Sequence, residues 1–288
     1  MKTTGLFTTH VIDVPVKIGQ TIKFIPFGDV HRDSDMHADE HWREFLSYAK
    51  AQPNAVFLGM GDYMDGMSTS ERICLNVGGL HDTTKKTITK VYTKWAERMA
   101  EELSFMRGRT IGLLGGNHYM GLDDGTTTDH LLAHGLGCRF LGVCSLIRLR
   151  LKIGGNSGTN QANFDIFAHH GKGGGITAGG QFNTIEKMSK TAEADIYLMG
   201  HTHGKGCIPD SPRLRLVGSS KGVAIRERTP WLGRTGSFLK AYENERVSYN
   251  VDAARSGCAL GWIEFDITPK RRRTNGDNCI EFQVRGTS

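Results

Sequence analysis

The sequence predicts an α/β fold, and three observations carry that prediction. Short apolar runs alternate with longer segments of helical periodicity between residues 21 and 203. Each of those runs ends in, or just before, a glycine and a polar side chain. Beyond residue 213 the pattern changes to short alternating runs of strand type.

Taken in order, "TIKFIPFGDVH" predicts a strand over 21–27 that runs into a Gly-Asp loop, and "DEHWREFLSYAK" predicts a helix over 38–50. "NAVFLGMGD" is a second strand, over 54–60, with another Gly-Asp at its end. A long helix comes next, with Ile88, Val91, Tyr92, Trp95, Met99 and Leu103 on one face, and it stops before Gly108. "RTIGLLGGNH" gives a third strand at 110–114, and "TTDHLLAHGLG" is helix-prone. "RFLGVCSLIRLRLKI" reads as a β-rich pair or one long strand, with a Gly/Asn loop after it at 154–160. Strand "FDIFAHH", helix "FNTIEKMSKTAEA" with Ile185, Met188 and Ala192 on one face, and strand "DIYLMGHTH" come next. The tail, 210–288, carries "RLRLVG", "GVAIRER", "LGWIEFDITP" and "NCIEFQVRG", which read as a second sheet packed on the first, with "KRRRTNGDN" as a hairpin loop. No repeat or long linker interrupts the chain, so residues 1–288 are expected to form a single two-layered domain.

Composition narrows the function classes. With 288 residues, 38% hydrophobic and 23% charged, the chain has the make-up of a soluble globular protein with ample core. No apolar stretch approaches the ~18 residues needed to span a bilayer, and the first residues lack the apolar core of a signal peptide. A cytoplasmic location and no membrane contact are expected. The six cysteines are scattered without a CxxC pair, as reduced thiols are. A net charge of +6 favours anionic partners such as phosphate-bearing substrates without requiring nucleic acid.

The chemistry lies at the strand ends: "GDVH" (28–31), "GDYMD" (61–65), "GGNH" (115–118), "AHHG" (168–171) and "GHTH" (200–203). Open α/β sheets bind ligands at the carboxyl edge of their strands, so five polar clusters at that edge of one sheet would converge. Asp, His and Asn side chains supply oxygen and imidazole ligands suited to Mn, Fe, Zn or Ni. Glycine lets the chain turn sharply as it leaves the strand. Ligands at i and i+2 on an extended segment point the same way, so Asp29 with His31, and His201 with His203, can each face one cavity.

In order and spacing these motifs resemble the calcineurin-like metallophosphoesterases, whose series is D-x-H, G-D-x-x-D, G-N-H-D/E, a His near a strand end, and G-H-x-H. The resemblance spans residues 28–203. It implies a four-layered α/β/β/α sandwich with two mixed β-sheets, and two divalent metal ions, Mn foremost with Fe, Zn or Ni as alternatives. Carried over by motif, Asp29, His31 and His203 bind one metal, Asn117, His201 and an "AHHG" histidine bind the other, and Asp62 bridges them. The implied reaction is hydrolysis of a phosphoester by a hydroxide shared between two cations ~3.5–4 Å apart, with no covalent enzyme intermediate. His118 resembles the residue that serves the leaving group. Asp65 is expected to orient His118 through its carboxylate.

Either His169 or His170 can be the "AHHG" ligand. Aligning the glycine after the pair favours His170; counting from the strand interior favours His169. The chain departs from the family at Tyr119, where Asp or Glu is usual, and "GDYMDG" lacks the Arg of the protein-phosphatase branch. A phosphoprotein substrate is therefore disfavoured. The loop "HHGKGGG" resembles that of phage- and bacterium-encoded members, some described as exonucleases, which points to a phosphodiesterase or nuclease. A phosphomonoesterase and a non-catalytic scaffold of the same fold are the alternatives, and the sequence identifies no obligate protein partner. Lys172 in that loop is expected to meet substrate phosphate.

Other motifs carry less. His37 and His41 in "HADEH" are expected on a solvated helix face, because the Glu is not adjacent to the first His as a zincin requires. "GSSKG" (218–222) matches a nucleophile elbow, but the residues after Ser220 are β-like rather than helical. "GKGGGITAGG" lacks the Gly-Lys-Ser/Thr of a P-loop. "PKRRR" (269–273) is expected at a solvated hairpin tip. His10, His81, His130 and His134 read as surface or helix residues.

Overall fold

The computed structural model describes residues 7–68, 70–73, 81–122, 124–154, 161–173, 177–219, 222–244, 257–274 and 277–288. Along them run β1 (Thr8–Val16), β2 (Ile22–Phe27), α1 (Asp39–Lys50), β3 (Ala55–Gly59), α2 (Asp82–Glu102), β4 (Thr110–Leu113), α3 (Thr128–Gly135), β5 (Cys144–Ile153), β6 (Gln161–His169), α4 (Ala178–Met188), β7 (Ile196–Met199), β8 (Lys205–Pro209), β9 (Arg213–Ser219), β10 (Gly222–Arg228), β11 (Trp231–Thr235), β12 (Glu264–Thr274) and β13 (Asp277–Thr287).

Two mixed sheets form the centre. One has the order β1-β5-β6-β7-β11-β8, the other β13-β12-β2-β3-β4. Alternation along each strand decides which side chains meet between them. Leu149 and Leu151 of β5, Ile166 of β6 and Leu198 of β7 pack there with Phe24 of β2 and Phe265 of β12 in one cluster. The opposite face of the five-stranded sheet buries Phe27, Phe57 and Leu113 against Trp42 and Phe45 of α1, Met99 of α2 and Leu132 of α3. The outer face of the six-stranded sheet buries Phe167, Tyr197 and Leu232 against Ile185 of α4. The layers are therefore α/β/β/α, as the motif resemblance implies.

Several expectations change. "TTHVIDVPV" forms β1, an edge strand parallel to β5. Its only fully buried positions are Val14 and Val16 at the end, so the alternation is too shallow to stand out in sequence. The tail is not a sheet of its own. β12 pairs antiparallel with β2 and extends the sheet built by β2, β3 and β4, whereas β8 and β11 complete the other. β9 and β10 form a separate two-stranded hairpin. The basic run 270–273 lies within β12, paired along its length with β13, rather than at a tip. Of the apolar face expected on α2, Met99 and Leu103 are buried, while Val91 is 41% exposed; the first turns of α2 stand in solvent.

Among the described residues no helix is long and apolar enough to cross a membrane. Among the described residues the five cysteines form no disulfide. His37 is buried, not solvated: its Nδ1–H donates to the Val30 carbonyl at 2.8 Å, just behind the site. His81 caps α2, accepting from the Thr83 N–H. Ser220 lies outside the described residues, and the chain continues into β10, a strand.

Candidate metal centre

The five motifs do not sit on one sheet. β2, β3 and β4 deliver "GDVH", "GDYMD" and "GGNH" from one sheet, and β6 and β7 deliver "AHHG" and "GHTH" from the other. Stacking brings both carboxyl edges together, and backbone bonds lock the loops in place. The Asp62 carbonyl accepts from the N–H groups of Val30 (2.7 Å) and His31 (3.1 Å), and the His170 carbonyl accepts from Gly200 N–H at 2.8 Å.

The backbone at this junction is strained in a consistent way. Asp29 (φ 48°), His31 (46°), Asp62 (51°), His201 (67°) and His203 (58°) are the non-glycine residues with positive φ among the described residues. Each such conformation costs on the order of 1 kcal/mol or more, and it persists only where surrounding contacts dictate it. All five are motif residues. The glycines beside them are dictated by crowding: a Cβ on Gly116 would stand 1.9 Å from Asp62 Oδ1, and one on Gly200 would stand 2.7 Å from Asp29 Oδ2.

Three groups of side chains have ligand atoms within 4.8 Å of one another and can hold a metal ion: Asp29, His31 and His203; Asp62, His170 and His201; and His31, Asp65 and His118. Asn117 belongs with the second group, its Oδ1 lying 3.0 Å from His170 Nε2 and 2.7 Å from His201 Nδ1. Asp62 stands between the first two. Its Oδ2 is 3.2 Å from His170 Nε2 and 3.9 Å from His31 Nε2, and its Oδ1 accepts from the His118 N–H at 2.8 Å. Asp29 receives the His201 N–H at 3.0 Å and lies 3.5 Å from His203 Nε2.

The histidine pair separates cleanly in space. His170 is 2% exposed, and its Nδ1–H donates to the Met60 carbonyl at 2.7 Å, which turns Nε2 into the cluster. His169 is the last residue of β6 and points elsewhere, its Nδ1 accepting from Gly171 N–H at 2.7 Å. Asp65 also differs from expectation. Its carboxylate accepts from His31 Nδ1–H at 2.7 Å, while its backbone carbonyl holds His118 Nδ1–H at 2.5 Å. One residue thus fixes two rings, leaving Nε2 of each free to act. Lys172 is exposed, two residues past His170.

Electrostatics favour cations here. Burial works to raise the Asp62 carboxyl, but His170, His31 and His118 together hold it well below the usual carboxylate range. Burial raises the Asp29 carboxyl, with Asp62 adding to it against the pull of His170, to about 6. Desolvation and neighbouring imidazoles push His201 down to about 4 and His203 down to about 3, so both are neutral, ligand-ready rings at pH 7. His170 goes the other way: burial lowers it, but Asp62 outweighs burial and raises it to about 9. Among the described residues, the buried His31 Nε2 has no hydrogen-bond partner. An unpartnered imidazole nitrogen facing two carboxylates fits a metal site.

Two residues of the site escaped the motif reading. Asp129, in the first turn of α3, is fully buried; one carboxylate oxygen accepts from the Gly116 N–H at 3.3 Å and the other has no hydrogen-bond partner among the described residues. Burial, reinforced by Asp62, raises it to about 7. Arg72 lies 3.7 Å over the Tyr119 ring and donates to the carbonyls of Asn117 (2.9 Å) and Tyr119 (3.1 Å). That clamp gives Tyr119 a purpose where an acidic residue was expected.

Among solved structures, the chain is similar to Vps29 from Entamoeba histolytica complexed with Zn2+, at TM-score 0.41 and 12% identity over 91% of this chain and 99% of that one. It is also similar to Vps29 from Cryptosporidium parvum, at TM-score 0.35 and 12% identity over 93% and 99%. Similarity at this level assigns neither family nor activity. No protein-family model matches the sequence. No curated protein matches it either.

Proposed function

We propose that this protein is a binuclear metal-dependent phosphoesterase, with phosphodiester or nuclease activity ahead of phosphomonoester hydrolysis. In this reading Asp29, His31 and His203 hold one divalent cation, Asn117, His170 and His201 hold the other, and Asp62 serves both. The observation that supports it most is the convergence of these side chains from two sheets, with backbone strain collected at five of them.

When bound, two such cations supply an acidified water and polarise the phosphoryl oxygens. The chain's own residues do the rest. Asp65 orients His31 by its carboxylate and His118 by its carbonyl, and His118 Nε2 is the group that delivers a proton to the departing oxygen. Burial of Asp29, His31, Asp62 and His170 excludes water from the ligands' remaining lone pairs. The preference for diesters rests on the resemblance of the glycine loop and on the net charge of +6.

Metal content of the purified protein, paired with hydrolysis of bis(p-nitrophenyl) phosphate and p-nitrophenyl phosphate under added Mn2+, tests the reading. Wild type is expected to bind metal and to cleave the diester faster, and Asp62→Asn to lose turnover and loosen both ions. Metal binding without hydrolysis of either ester would make the protein a metal-loaded scaffold instead. An Asp62→Asn variant with wild-type metal content and rate would end the binuclear assignment.

A further inference from the structure

Four large aliphatic side chains stand in water on one hairpin: Leu214 (71% exposed) and Leu216 (68%) of β9, and Val223 (70%) and Ile225 (64%) of β10. The antiparallel register sets Leu216 opposite Ile225, Val223 opposite Gly218 and Leu214 opposite Glu227. Cross-strand partners share a face and i, i+2 neighbours repeat it, so all four aliphatic groups lie on one face of the ribbon. Among the described residues they join none of the three buried clusters.

The other face holds the hairpin to the rest of the chain. Ala224 is buried there, Arg213 donates to Ser189 Oγ at 2.9 Å and to Asp210 Oδ2 at 3.0 Å, Arg228 is ion-paired with Asp195, and Arg215 lies 3.6 Å from Glu193. The ribbon is thus docked through its arginine face on the segment between α4 and β7, with its aliphatic face turned outward. A two-stranded ribbon is marginal in water unless a further layer covers its apolar face. A contiguous exposed aliphatic patch on a globular chain marks an interaction surface.

Area and charge identify the occupant. At these exposures the four side chains offer roughly 400 to 500 Å² of apolar surface. A standard-size interface buries about 800 Å² on each partner, about 65% of it apolar in homodimers, or roughly 520 Å² per copy. The patch therefore matches the apolar share of one homodimer interface. Its charge is also self-compatible. Glu227, at the base of the face, lies within electrostatic reach of Arg272 of its own chain, and the arginines at 213, 215 and 228 are engaged behind the face by carboxylates of the same chain. Among the described residues the face itself presents no cation to an acidic partner or an anionic lipid surface, and an identical face meets no like charge beyond Glu227 at its edge.

We infer that the β9–β10 hairpin is the contact through which two copies of this chain associate, aliphatic face on aliphatic face about a two-fold axis. The hairpin lies at the starting ends of β7 and β11, where Trp231 N–H donates to the Asp195 carbonyl, whereas the metal motifs lie at the finishing ends of their strands. Association therefore leaves the metal motifs uncovered, and the inference does not rest on the phosphoesterase reading.

Sedimentation velocity of the full chain tests it. Wild type is expected to be a dimer over most of the range from about 1 to about 100 μM, because standard-size interfaces have dissociation constants of about 1 μM or below. Replacing Leu216 and Ile225 together by threonine keeps a favourable cross-strand pair and removes the centre of the apolar face, so the dissociation constant is expected to rise at least a hundredfold, with metal content unchanged. Val11→Thr, at an exposed aliphatic position on edge strand β1, is the control and is expected to dimerise like wild type. If the Leu216→Thr/Ile225→Thr variant does not fold, as judged by circular dichroism, Leu214→Thr with Val223→Thr carries the same comparison with the same outcomes. Wild type that stays monomeric at about 100 μM overturns the inference; if it then floats with phosphatidylserine vesicles, the face belongs to lipid instead. A dimer unaffected by the threonines, or one lost in Val11→Thr, overturns it as well.

Discussion

Gly116→Ala is the smallest change that tests the geometry of the centre. Gly116 does not occupy the left-handed region, so alanine meets no backbone penalty there and acts through sterics alone. Its Cβ would stand 1.9 Å from Asp62 Oδ1, 2.7 Å from Asp62 Cγ and 2.4 Å from the Asp62 backbone nitrogen. The carboxylate cannot rotate away without losing the His118 N–H at 2.8 Å and its approach to His170. Moving the backbone instead would disturb the two N–H bonds accepted by the Asp62 carbonyl. Overpacking of this kind destabilises by roughly 1–3 kcal/mol. For a chain of 288 residues that is a fall in Tm of roughly 2–5 °C. Metal affinity is expected to fall at least tenfold, because Asp62 faces both groups. Thermal melts with and without added Mn2+, together with metal titration, measure both effects. Gly121→Ala is the control: nothing lies within 4 Å of its added Cβ, and its Tm is expected to stay within about 1 °C of wild type. A Gly116→Ala variant that melts and binds metal like that control would refute the crowding on which the site's geometry depends.

Other outcomes rest on the same contacts. His118→Asn is expected to lower kcat by a factor on the order of 10² to 10⁴ with metal occupancy nearly unchanged, more for alkyl than for nitrophenyl leaving groups; equal losses for both would remove His118 from proton delivery. Alanine at His170 is expected to empty one metal position and abolish activity, whereas alanine at His169 changes stability or substrate contact only; metal analysis of the two variants decides, and the reverse pattern would move the ligand. In metal-free protein His170 holds a proton below about pH 9, since Asp62 outweighs the effect of burial, and a cation at Nε2 must displace it. Metal binding at pH 7.5 should therefore release about one proton, and affinity should rise about tenfold per pH unit until it levels off above about pH 9. Calorimetry in two buffers of different ionisation enthalpy reads the proton count, and a count of zero at pH 7.5 would contradict the His170 assignment.

The amino-acid sequence by itself determined most of the elements between residues 21 and 203 and the motifs at their ends. Period-2 and period-3.6 patterns are properties of short windows, and a strand such as Ile22–Phe27 or a helix such as Asp39–Lys50 is visible within one. The glycine-flanked Asp, His and Asn residues were legible for the same reason. What only tertiary structure decided is which atoms those side chains meet, because the partners are remote in the chain. His31 meets Asp65 across 34 residues, His170 meets Asn117 across 53, and His201 meets Asp29 across 172. The choice between His169 and His170 turns on a hydrogen bond to Met60, 110 residues away. β12 looks like any late strand until it pairs with β2, and Asp129 looks like a helix-start residue until Gly116 packs on it. Local pattern fixes where a side chain can point; the stacking of two sheets, each assembled from strands remote in the chain, fixes what it finds there.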